Sequence, residues 1–125
     1  MIDPLPGLVA AMNESLKASG LSREQLVDDM NRLAHLCGSK RRVSPAMLDK
    51  WLAGTEGYVI YLDALAWLCQ ALGDNRPLAV YARAFPGARV VSEERFRVLE
   101  WAEAEIAARE AKKRAKKRAQ EVGIE

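Results

Sequence analysis

A twelve-residue stretch near the middle of the chain, Val43 to Gly54, permits very few conformations: V-S-P-A-M-L-D-K-W-L-A-G. Ser44 is a residue that caps the unpaired N–H groups opening a helix, and Pro45 suits the first helical position because its missing N–H costs nothing there. Gly54 tolerates the left-handed conformation that ends many helices. Between these ends Leu48, Trp51 and Leu52 recur at helical spacing and share one face, while Ala46, Met47, Asp49 and Lys50 lie largely off it. The pattern predicts a helix of about nine residues, too short to persist alone in water. Such a helix must be anchored on others through its apolar face, with its polar face turned outward. A short, anchored, outward-facing helix is what DNA-reading proteins place in the major groove.

The rest of the chain supplies material for that anchoring. Its length of 125 residues suits one domain with an appendage, and 50% hydrophobic residues suffice for one modest core. Ala and Leu are abundant and β-branched residues sparse, which favours helices over strands. No apolar run is long enough to cross a bilayer, and Met1-Ile2-Asp3-Pro4 has neither the basic nor the apolar region of a secretory signal, so a cytoplasmic protein is expected. Cys37 and Cys69 sit in apolar helical patterns, and buried free thiols are favoured over a disulfide or a metal pair. The net charge of +2 is unevenly spread. Residues 1–108 carry 12 Lys and Arg against 14 Asp and Glu, whereas residues 109–125 carry 7 against 3, a basic end on a nearly neutral body.

Apolar spacing and cap residues predict six helices. Residues 4–18 place Leu5, Leu8, Val9, Met12 and Leu16 on one stripe, with Gly20 as a stop. Ser22 and Gln25 form a capping box for a second helix, which ends near Leu36 and has Leu26, Met30, Leu33 and Cys37 along its face. Ser39-Lys40-Arg41-Arg42 is a basic connector into the capped helix. A fourth helix is read over roughly 58–72, apolar nearly all round and therefore central. A fifth follows Pro77 with Leu78, Val80, Tyr81 and Phe85, and a sixth starts at Ser92 with Phe96, Leu99 and Ile106 on one side. Trp51, Trp67 and Trp101 read as core anchors, with an interface role open for Trp101 and Phe96. A helix from 92 to about 120 spans roughly 43 Å, and its apolar stripe ends near Ala108. The expected organisation is an all-α, five- to six-helix protein, with a helical DNA-binding-type domain over 1–91 and a C-terminal helix with a basic tail over 92–125.

Three segments carry a resemblance: Leu21-Ser22-Arg23-Glu24-Gln25-Leu26, Val43-Ser44 through Leu48, Trp51 and Gly54, and Leu62 through Gly73. They resemble the helix-turn-helix domain of Cro/repressor-type (Xre-like) regulators over about residues 5–73. Its most specific part is V-S-x-x-x-L-x-x-W-x-x-G. The M-L-D-K-W and G-D-N-R-P-L segments are also similar to small proteins of Mu-like prophages, which implies a phage or prophage origin. The resemblance implies a helix-turn-helix-like unit over residues 22–54, with Leu48 and Trp51 facing the core and Ser44 capping and able to meet phosphate. It also places Pro45, Ala46 and Lys50 at positions that meet base edges, and Ala46, Met47 and Lys50 are the residues expected to approach the bases. Two departures stand out. Leu21 to Val43 is about ten residues longer than the compact motif, and Pro45 and Ala46 offer no side-chain donors. Base reading by this helix is therefore expected to be thin and affinity to rest on phosphates.

Lys40, Arg41 and Arg42 precede the helix N-terminus, where a phosphate is favoured; a solvated loop is the alternative. In the tail, Arg109, Lys112, Lys113, Lys116 and Lys117 fall within half a helical wheel. That stripe suits a nucleic-acid backbone, with a merely solubilising end as the alternative. His35 stands alone, so no metal site is expected, and no nucleophile motif or phosphate loop points to an enzyme or a cofactor. The expected function is non-enzymatic binding of double-stranded DNA as a phage-type transcriptional regulator, with no membrane partner and with dimerisation through the last helix. The rival is a small helical adaptor that keeps the fold and binds protein instead.

Overall fold

The computed structural model of the protein describes residues 3–123; Met1, Ile2, Ile124 and Glu125 lie outside the described residues. Among the described residues there are six helices and no strand: α1 (Leu5–Ser19), α2 (Arg23–Leu36), α3 (Pro45–Ala53), α4 (Leu62–Leu72), α5 (Arg76–Ala82) and α6 (Glu93–Glu121). The chain forms two compact units, Met1–Val90 with α1 to α5 and Val91–Glu125 with α6.

In the first unit the caps act where the residue types require. Ser22 Oγ accepts from Gln25 N while Gln25 Oε1 accepts from Ser22 N, closing the reciprocal box. Gly20, Gly54 and Gly73 each follow a helix with φ between +63 and +72°, the left-handed ending that a Cβ disfavours. The core collects one stripe from each of the first four helices: Leu8 and Met12 from α1, Leu26, Met30 and Ala34 from α2, Leu48, Trp51 and Leu52 from α3, and Ala64, Leu65, Trp67 and Leu68 from α4. Helix α1 packs against α3, α4 and α5, and α2 against α3 and α4. Helix α3 is thus seated on both α1 and α2, the support that nine residues need.

Several expectations are corrected. Helix α4 starts at Leu62, not near residue 58. Gly57 turns the chain at φ +83°, and Ile60 then tucks inward between exposed Val59 and Tyr61 in a non-helical segment that leads into α4. Cys37 is exposed, because α2 ends at Leu36 and the stripe on which Cys37 was placed no longer exists there; Cys69 is buried. Burial pushes the Cys69 thiol above its ordinary pKa. Phe85 lies past the end of α5 and is exposed.

The second unit is a single 29-residue helix opened by Ser92, whose Oγ accepts from Arg95 N at 3.1 Å. None of its residues is buried, and Trp101 is 67% exposed, so neither Trp101 nor the Phe96, Leu99 and Ile106 side is a core face within it. One helix cannot bury its own stripe; that takes a second element. No helix among the described residues is long and apolar enough to cross a membrane.

Candidate nucleic-acid interface

The anchoring of α3 determines what it offers outward. With Leu48, Trp51 and Leu52 buried, Pro45, Ala46, Asp49, Lys50 and Ala53 are exposed. Met47 differs from its helix neighbours: it is partly buried and packs against the core. Ser44 Oγ is engaged, accepting from Met47 N at 3.1 Å. Two asparagines set the height and tilt of the helix. Asn31 of α2 donates to Val43 O at 2.9 Å and accepts from Val43 N at 2.8 Å, fastening the chain just before α3. Asn13 of α1 donates to Leu52 O at 2.8 Å and so holds the far end of α3. The longer spacing between Leu21 and Val43 is used twice, in a 14-residue α2 and in a true loop over residues 37–44.

The basic groups around α3 are exposed, yet most have partners. Arg41 Nη1 meets Asp63 Oδ1 at 3.2 Å, and its guanidinium lies over the Tyr61 ring, 4.4 Å from the centroid. Tyr61 in turn stands edge-on to Trp51 at 5.5 Å, so Arg41 is tied to the core of α3 through an aromatic pair. Lys50 Nζ sits 4.1 Å from the Tyr58 ring centroid. Arg42 Nη1 donates to the carbonyls of Ser39 and Arg41 at 2.7 and 2.8 Å, which shapes the loop. Arg23, at the first position of α2, reaches Asp49 with Nη1 to Oδ1 at 2.6 Å. Lys40 is exposed.

Of the expected site residues, then, Lys40, Arg41, Arg42, Ala46 and Lys50 are exposed on or beside α3, whereas Met47 leans inward and the Ser44 hydroxyl is committed to its cap. Arg109, Lys112, Lys113, Lys116 and Lys117 are exposed along α6. Sequence reasoning missed Tyr58 and Tyr61 as cation platforms and Asn13 and Asn31 as clamps. For the asparagines a faint signal existed: each interrupts a helix with a poor helix former where Ala or Gln would serve better. Behind α3 an open groove of about 550 Å³ is lined by Leu8, Met12, Trp51, Tyr58 and Ile60. Among the described residues no group of three His, Cys, Asp or Glu side chains is placed to hold a metal ion.

What these elements define is an all-α protein with a short, firmly seated helix facing outward. Comparison with protein-family models, with curated proteins and with solved structures returns no match.

Proposed function

We propose that the protein is a non-enzymatic, cytoplasmic binder of double-stranded DNA, used as a phage-type transcriptional regulator that presents α3 to the major groove. One observation carries this reading: α3 is pinned at both ends by side-chain amides and sunk into the core on one face, while its other face is exposed among Arg23, Lys40, Arg41, Arg42 and Lys50. Rigid seating of an exposed helix beside cations is what groove entry requires. Ala46 and Lys50 approach the bases in this reading, and Lys40, Arg41 and Arg42 hold phosphates. The basic stripe of α6 adds affinity that does not depend on sequence. Pairing of two copies through the apolar side of α6 fits the exposure of the three large apolar residues on that side, Phe96, Leu99 and Ile106.

Retardation of random duplex DNA across a salt series tests the proposal. Neutralising about five phosphates gives a log–log slope of roughly −4 to −5, and removing residues 109–125 makes it shallower. No retardation at low salt overturns the reading. The adaptor alternative is favoured by a separate observation, the apolar surface formed by exposed Leu62 and Leu78 beside partly buried Tyr81.

A further inference from the structure

We infer that Arg23 and Asp49 work as one sequence-reading unit that selects a single G·C base pair. This rests on the DNA-binding reading above and sharpens it, because Ala46 and Lys50 alone discriminate poorly. Asp49 is the one acidic side chain on the outward face of α3, one residue before Lys50 and three after Ala46. A bare carboxylate there would be repelled by phosphates. It is not bare: the Arg23 guanidinium reaches it from the start of α2 at 2.6 Å.

The geometry of that contact leaves the pair only half used. One nitrogen meets one oxygen, and the two side chains are 52% and 54% exposed. Arg has five N–H donors, so further donors stay open, and Asp49 Oδ2 remains an acceptor. The pair therefore keeps open donors on the arginine beside an open acceptor on the aspartate, with no net charge. The major-groove edge of a G·C pair presents the complement: guanine N7 and O6 accept, and cytosine N4 donates. An A·T pair alternates acceptor, donor, acceptor, and a reversed C·G pair presents its groups in the opposite order. Only one of the four pairs satisfies all three groups in a fixed pose.

Selection of wild-type protein on random duplexes, followed by competition on the selected site, tests this against Arg23→Lys and Asp49→Asn. Both variants retain the size of the side chain, and Arg23→Lys keeps the charge, so a phosphate contact survives it. Wild-type protein is expected to enrich G·C at one position about tenfold or more over the other pairs. Each variant is expected to lose that preference at that position alone, with a nearly unchanged thermal midpoint, and Arg23→Lys is expected to leave the salt slope unchanged. If both variants keep the preference, Arg23 is a phosphate contact and this proposal falls while DNA binding stands. If wild-type protein retards no duplex, the DNA-binding reading falls and takes this one with it.

Discussion

Asn31 commits its amide oxygen and one N–H to the backbone of a single residue, Val43. Replacing it with Ala leaves a partly buried N–H and C=O without partners, and each such loss costs about 1–3 kcal/mol. Asn31→Ala should therefore lower the urea midpoint clearly. Leu48 is fully buried, and Leu48→Ala should cost about 2–5 kcal/mol in the same measurement. Leu48 was legible from the sequence because burial follows spacing. The role of Asn31 was not, because its partner is 12 residues away across a loop whose path the sequence does not specify. Asp74 makes a prediction about pH. Hydrogen bonds from the Arg76 side chain and backbone hold its carboxyl down to about 2, from an ordinary 3.8. Its folded pKa is depressed, so its contribution is complete above pH 3.8 and is lost as pH falls through 2. The stability gap between wild type and Asp74→Asn should be flat near neutral pH and close between about pH 4 and 2.

At the scale of the element, ends were easier to read than burial. The Ser22 box, the Ser44 and Ser92 caps and the glycine stops are local chemistry, complete within four residues, and the structure has all of them. The start of α4 was misplaced because Tyr58 to Tyr61 is apolar enough to continue a helical pattern backwards, and periodicity over four residues cannot separate a helix turn from an extended approach. Gly54 holds φ at +67°, and its absent Cβ would lie 3.6 Å from Val9 Cγ1, an ordinary contact. Gly54→Ala is thus penalised by backbone conformation alone, by about 1–2 kcal/mol in chemical denaturation. The length of α6 was legible from its cap and composition, but the exposure of Trp101 was not. A stripe in a sequence says that a face is apolar, not that something covers it.

At the scale of the whole molecule, composition separated a nearly neutral body from a basic end, and the fold class followed from helix propensity and caps. The candidate site was legible in part. Charge and motif marked Lys40, Arg41, Arg42 and Lys50, but only three-dimensional placement shows that Asp63, Tyr61 and Tyr58 already occupy two of them. That occupancy has a kinetic consequence. Before Arg41 can serve an outside anion it must part from an internal one, and that carboxylate waits to reclaim it. If the DNA reading holds, residence on duplex is short for so many cations, and Asp63→Asn lengthens it by slowing dissociation in a stopped-flow chase. In that reading the acid at position 63 makes Arg41 a brake on grip, and the surface lets go readily.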